Sequence, residues 1–169
     1  ALPAPAVEGI EGVFPNYASL TPDAKKVVRR AAGPFAHFLP ELAEQGVAHF
    51  ILPLYMHLTD VEAMKPWKAH RTFDGRSYDA VRGAAGKVAV SGVETLWPAT
   101  RMGPSTIAHE FAHQVHQYGL SGAEKSEITM LYRRAEKRGR FLDYYAGENE
   151  MEYFAQGYEA FVSPFKRPT

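Results

Sequence analysis

The distribution of apolar and polar positions along the chain predicts a mixed front part and a helical back part. Residues 1–20 are rich in proline and glycine, which predicts an irregular leader. The first helix is expected to begin after Thr21, which can cap it with Pro22 in the first turn, and to end at Gly33. The pattern then predicts a short helix over 35–45 and a buried strand over 47–54. A capping box over 59–62 is expected to open a further short helix, which Pro66 closes or kinks. A loop over 70–86 and a strand over 87–93 complete the front part.

The back part follows a connection over 98–104 and carries the helical period. The pattern predicts helices over 105–118, 123–138 and 148–162. Ser121 and Glu124 form a capping box for the middle helix, and Pro164 ends the last one. A small mixed sheet followed by helices indicates the α+β fold class, with a single domain over 21–169.

Length and composition fit one soluble domain. The chain has 169 residues, 46% hydrophobic and 22% charged, and its 19 lysines and arginines balance 19 aspartates and glutamates. This balance gives no field that would favour nucleic acid or an anionic membrane. No apolar run approaches the roughly 20 residues of a membrane span, and the absence of cysteine excludes disulfides and thiolate ligands. The first residues lack the features of a signal peptide, so we expect a processed mature protein or an excised domain.

The strongest chemical signal is His109-Glu110-Phe111-Ala112-His113, a match to H-E-x-x-H. Positions i and i+4 of a helix share one face, so both imidazoles can reach one tetrahedral zinc ion. Glu110 then stands beside the metal, where it can take a proton from a bound water. The same helix has an apolar stripe that can face the core: Ile107, Phe111, Val115 and Tyr118.

A third ligand has to come from elsewhere in the chain. His116 shares the face of the two histidines, but it lies about 10 Å from His109 along the helix axis, too far to bind the same ion. We expect it beside the ligands or at the surface. The last helix carries a polar stripe on the side opposite its apolar residues: Glu148, Glu152, Gln156 and Glu159. On spacing alone, Glu148 and Glu152 are both suitable as the third metal ligand.

Three segments resemble one family of zinc peptidases, which contains the catalytic domain of anthrax toxin lethal factor and the secreted bacterial Pro-Pro endopeptidases. They are residues 77–90, similar to a glycine-rich stretch that leads into a strand, the H-E-x-x-H motif, and Glu152-Tyr153-Phe154-Ala155. In lethal factor the last segment is a glutamate ligand followed by Phe-Phe-Ala. The resemblance covers roughly residues 75–163.

The resemblance implies a zincin-like fold and a zinc-dependent endopeptidase. One Zn²⁺ ion would be held by His109, His113 and Glu152, with water in the fourth position, and Glu110 would act as general base and later as proton donor. The family's catalytic tyrosine lies seven residues before the glutamate ligand, which corresponds to Tyr145 here. It would donate a hydrogen bond to the oxyanion, with Tyr144 as the neighbouring alternative.

The resemblance also implies how substrate binds and where the protein works. Residues 88–93 would form the sheet edge beside the cleft and pair with an extended peptide or protein substrate, and the protein would be secreted. Two departures affect the loop and the surroundings of the metal. Arg82 stands where the family usually has proline, and Gln156 stands where lethal factor has an acid.

Two other functions fit parts of the pattern. One is a zincin-like domain that binds zinc without catalysis, and the other is a metal-dependent hydrolase of another clan that acts on a non-peptide substrate. The presence of Glu110, which a non-catalytic domain could lose, favours the peptidase. Trp67 and Trp97 could line a substrate pocket or pack as ordinary aromatic residues.

Overall fold

A computed structural model describes residues 7–72, 75–96 and 105–163. Over these residues the chain forms six α-helices and three β-strands: α1 Ile10–Val13, α2 Pro22–Ala32, α3 Leu39–Glu44, β1 Ala48–Leu52, β2 Gly83–Ala84, β3 Val88–Gly92, α4 Thr106–Gln114, α5 Gly122–Arg138 and α6 Glu150–Val162. Short 3₁₀ segments form several of the connections. The architecture is α+β, as the sequence predicts.

Two helices begin where local side chains can satisfy their first N–H groups. The hydroxyl of Thr21 accepts a hydrogen bond from the backbone N–H of Ala24 at the start of α2. At the start of α5, the Ser121 hydroxyl accepts from the N–H of Glu124, whose carboxylate accepts from the N–H of Ser121. Both starts confirm the sequence predictions.

The sheet has the order β1-β3-β2. β1 runs parallel to β3, and β2 runs antiparallel to β3 on its other side. The prediction that residues 88–93 form the sheet edge is therefore wrong, because β3 is the central strand. The outer strand on the cleft side is β2, which lies inside the predicted loop over 70–86 and is only two residues long.

The core is built around α4, which contacts β3, α2 and α6. Ile107, Phe111 and Val115 are fully buried, and Tyr118 packs at the margin of the core. The ring of Phe111 lies 5.5 Å from that of Phe14, which follows α1. This packing fixes the apolar stripe of α4 inward and leaves its other side to face a cleft.

Three front-part predictions differ from the structure. The predicted irregular leader contains α1, which buries Ile10 and Val13 against the core. The predicted helix over 35–45 begins as a 3₁₀ segment over Gly33–Phe38 and becomes α-helical only at α3. The capping box is formed by His57 and Asp60 rather than over 59–62.

The segment that follows this box, Glu62–Ala69, is 3₁₀ and contains Pro66. Proline lacks the N–H that an α-helical ladder needs, which explains the change of helix type. The predicted connection over 98–104, Trp97 and Pro164 lie outside the described residues. Within the residues that are described, no helix has both the length and the apolar character to cross a membrane.

Candidate metal centre

Helix α4 places two imidazoles side by side. His109 and His113 are one turn apart, and their Nε2 atoms are separated by 3.1 Å. The two rings meet edge to face at 83°, with 16% of each side chain exposed. One Nε2 can donate a hydrogen bond to the other in the absence of a metal, and the same convergence allows both nitrogens to face one cation.

Helix α6 brings a carboxylate to the same point. The side-chain oxygen of Asn149 accepts hydrogen bonds from the N–H groups of Met151 and Glu152, and so fixes the first turn of α6. The carboxylate of Glu152 then lies 3.2 Å from Nε2 of His109 and 3.3 Å from Nε2 of His113. Among the described residues, His109, His113 and Glu152 form the group that could hold a metal ion, with one ligand atom of each within 4.8 Å of the others.

The spacing of these atoms fits zinc. Ligands about 2.0–2.1 Å from a tetrahedral ion are about 3.3 Å from one another. The two Nε2 atoms are 3.1 Å apart, and those of His109 and His113 lie 3.2 Å from Oε2 and 3.3 Å from Oε1 of Glu152, respectively. Oε2 of Glu152 is buried and receives no correctly directed hydrogen bond from any described residue, although Nε2 of His109 is close to it. A metal ion would satisfy this oxygen, so the residues fit the ion that the resemblance implies.

The electrostatics of the site favour a cation. Burial acts to raise the pKa of the Glu152 carboxyl, but the imidazoles of His109 and His113 outweigh burial and hold that pKa at about 2. Burial likewise acts to lower the pKa of His109, but nearby carboxylates raise it above its ordinary value. These carboxylates belong to Glu110, Glu152 and Glu159. The site therefore stabilises positive charge.

Glu110 lies between the two histidines and the outer strand. Burial raises the pKa of its carboxyl above the ordinary value, against the effect of the neighbouring imidazoles. A Cβ atom at Gly83 of β2 would stand 2.9 Å from Oε1 of Glu110 and 2.5 Å from Cγ2 of Thr106. Glycine at position 83 therefore allows the carboxylate to lie directly beside the backbone of the sheet edge.

A cleft of about 640 Å³ opens over these groups. Its walls include the residues of the candidate centre, the backbone of β2, and an aromatic pair formed by Trp67 and Tyr78 with ring centroids 4.8 Å apart. The full set of catalytic and metal-binding residues predicted from the sequence lines this cleft: His109, Glu110, His113, Tyr145 and Glu152.

The two candidate tyrosines differ in position. Tyr145 begins a 3₁₀ turn, Tyr145–Gly147, and its side chain lines the cleft. Tyr144 packs against it with ring centroids 4.2 Å apart, but it is 73% exposed and does not contribute to the cleft wall. The structure thus places the side chain of Tyr145, but not that of Tyr144, on the cleft wall.

Two alternative ligands lie elsewhere. His116 is buried, tilts against the ring of Phe154, and is not part of the ligand group found among the described residues. The surface position that we considered for it is therefore wrong, and burial lowers its pKa. Glu148 precedes the cap residue Asn149, so it stands outside α6 and off the helical face that carries Glu152.

The sequence did not reveal several contributors to the site. No sequence pattern around Gly83 indicates that it lies beside Glu110. Glu159 appeared only as one member of the polar stripe, yet its Oε2 lies 3.8 Å from Nδ1 of His109. Gln114, which follows His113, is fully buried and hydrogen-bonded to β1 and to Gly86, in the connection between β2 and β3. The packing of α4 against the sheet and against α6, which is a tertiary property, gives these residues their positions.

Comparison with known proteins does not identify a family. No protein-family model matches the chain, and no curated protein matches it. The resemblance to zinc peptidases therefore rests on the quoted segments, and the geometry of the cleft is an independent observation.

Proposed function

We propose that this protein is a zinc-dependent endopeptidase. The observation that carries the proposal is the convergence of two Nε2 atoms and one carboxylate, 3.1 to 3.3 Å apart, in a cleft that also contains Glu110. His109, His113 and Glu152 would hold the ion. When bound, zinc would polarise a substrate carbonyl and lower the pKa of a water molecule to about 7.

Glu110 would perform the proton transfers. Its carboxylate faces the cleft beside the ligand group, which is the position that a general base toward a metal-bound water would take. It would accept a proton from the attacking water and deliver it to the leaving amine. The hydroxyl of Tyr145, on the cleft wall, would donate a hydrogen bond to the oxyanion that develops on the substrate carbonyl.

The substrate would bind along β2. This strand is the outer member of the sheet, and Gly83 and Ala84 both line the cleft. An extended peptide could add to the edge of β2 that no described strand pairs with, and gain backbone hydrogen bonds that are independent of side-chain identity. The backbone of β2 lies directly beside Glu110, so a peptide bound there would have its carbonyl groups close to the general base.

Metal analysis and cleavage assays on three variants test the proposal. The wild-type protein should contain about one zinc ion per chain and cleave members of a peptide library, detected by mass spectrometry. Glu110→Gln should keep zinc and lose about 10²-fold or more in cleavage rate. Glu152→Gln should lose both zinc and cleavage, whereas the matched control Glu148→Gln should keep both.

Each contrary result has its own meaning. Full activity of Glu110→Gln would contradict the assigned mechanism. Stoichiometric zinc without cleavage of any peptide would identify a non-catalytic zinc-binding domain. Hydrolysis of small esters but not of peptides would identify a hydrolase with a different substrate class.

A further inference from the structure

A buried carboxylate stands behind the metal centre without a part in the proposed proton transfers. Glu159 of α6 is 1% exposed, and its Oε2 lies 3.8 Å from Nδ1 of His109. The other nitrogen of this imidazole, Nε2, faces Glu152 and His113. The ring of His109 therefore lies between two carboxylates of the same helix.

Helix geometry explains how α6 reaches both nitrogens of one ring. Glu152 and Glu159 are two helical turns apart, so they share a face and are separated by about 10 Å along the axis. Gln156, one turn after Glu152, is also buried and lines the cleft, but its side chain is a neutral amide. The negative charge that reaches the far side of His109 is that of Glu159.

We propose that Glu159 is the positioning residue of the metal centre. Its carboxylate accepts a hydrogen bond from the Nδ1–H group of His109, and this bond keeps Nε2 unprotonated and directed at the metal. Histidine ligands commonly donate their second N–H to a carboxylate, which fixes the tautomer and raises the basicity of the ligating nitrogen. The observed 3.8 Å is longer than a hydrogen bond, so the proposal requires this contact to shorten in the zinc-loaded protein. The proposal rests on the zinc site proposed above.

Zinc affinity is the first test. The dissociation constant of zinc is measured by competition with a chromogenic chelator for the wild type, Glu159→Gln and the control Glu148→Gln. Glutamine has nearly the same shape as glutamate but no charge, so Glu159→Gln should bind zinc about 10- to 100-fold more weakly. Glu148 lies outside α6, and Glu148→Gln should bind zinc as the wild type does. Equal affinity of all three proteins would overturn the proposal and leave the zinc peptidase intact.

The second test needs no variant. In the zinc-loaded wild-type protein with ¹⁵N-labelled histidine, the Nδ1–H proton of His109 should be visible by NMR, shifted downfield and protected from exchange with solvent. Rapid exchange, as for an exposed imidazole, would overturn the role of Glu159 even if Glu159→Gln failed to fold. Failure of the wild type to bind zinc at all would instead overturn the proposed function, and this inference with it.

Discussion

At the scale of single residues, Gly83 is the position where the smallest change should affect catalysis. Its missing side chain leaves the space that Oε1 of Glu110 and Cγ2 of Thr106 occupy. Alanine at this position would place a Cβ 2.9 Å from that oxygen, and the carboxylate would have to move. Since displacement of a catalytic group by about 1 Å can cost roughly 10²-fold in rate, we expect Gly83→Ala to lower kcat by about this factor while zinc content is unchanged.

The control for Gly83→Ala is Gly157→Ala on α6. A Cβ atom at position 157 would meet nothing within 4 Å, and alanine is favoured over glycine inside a helix by about 0.5–1 kcal/mol. Gly157→Ala should therefore retain activity and unfold at a slightly higher denaturant concentration. Wild-type kcat in Gly83→Ala would contradict the close approach of β2 to Glu110.

Tyr145 and Tyr144 provide a second comparison at the same scale. Removal of a donor to an oxyanion costs about 10²–10³-fold in kcat, so Tyr145→Phe should lose activity to this extent and keep its zinc. Tyr144→Phe should have little effect, because the Tyr144 side chain is 73% exposed and lies outside the cleft wall. Steady-state kinetics on one cleaved peptide measures both variants. A larger loss in Tyr144→Phe would reverse the assignment.

At the scale of elements, a buried polar network joins α4 to the sheet. Nε2 of Gln114 donates hydrogen bonds to the carbonyl oxygens of Ala48 and Gly86, at 2.9 and 3.1 Å. Its Oε1 therefore accepts from Nδ1 of His49, at 3.1 Å, and Nε2 of His49 accepts from the hydroxyl of Ser91, at 2.8 Å. Because Gln114 follows His113 directly, the network fixes the end of α4 that carries a metal ligand.

Loss of the Gln114 side chain should destabilise the fold. Gln114→Leu leaves the imidazole of His49 and two backbone carbonyl groups without this partner, and each buried unsatisfied group costs about 1–3 kcal/mol. We expect a decrease of at least about 2 kcal/mol in the free energy of unfolding, measured with denaturant. Gln45→Leu is the matched control. Gln45 is exposed, and water can replace its hydrogen bond to the carbonyl oxygen of Tyr118, so the substitution should change stability by less than about 0.5 kcal/mol. Similar losses in both variants would argue against the network.

The elements also show what local sequence can predict. The sequence predicts three features because each depends on spacing within a few residues. They are the H-E-x-x-H motif, the apolar stripe of α4 and the capping box of α5. β2 could not be predicted, because a Gly-Ala pair has no period and pairs only through its register with β3. Spacing also could not separate Glu152 from Glu148, since the choice depends on whether Asn149 begins the helix. The cap places Glu148 outside α6.

At the scale of the whole molecule, the proposed zinc site would couple metal binding to folding. The proposed ligands lie on α4 and α6, which are distant in sequence, so we expect zinc to bind the folded chain more tightly than the unfolded one. A ligand at 100 times its dissociation constant adds about 2.7 kcal/mol to stability, which for a chain of this length raises Tm by about 5–10 °C. A chelator should remove this increment, as measured by calorimetry. In Glu152→Gln, Tm should not depend on zinc; an equal increment in that variant would place the metal elsewhere.

Acid should destabilise the protein through His49. Burial lowers the pKa of this imidazole from 6.5 to about 3, although the hydrogen bond with Gln114 acts in the opposite direction. Between these two values the unfolded chain binds a proton at His49 that the folded chain does not, so stability falls as pH decreases below 6.5. The slope approaches about 1.4 kcal/mol per pH unit, which gives a loss of about 2 kcal/mol between pH 7.5 and pH 5.

Denaturant unfolding of the chelator-treated protein at both pH values measures this loss of stability. In His49→Gln the loss between the two pH values should be about 2 kcal/mol smaller than in the wild type. The same pH dependence in both proteins would mean that the folded state protonates His49 as readily as the unfolded state does.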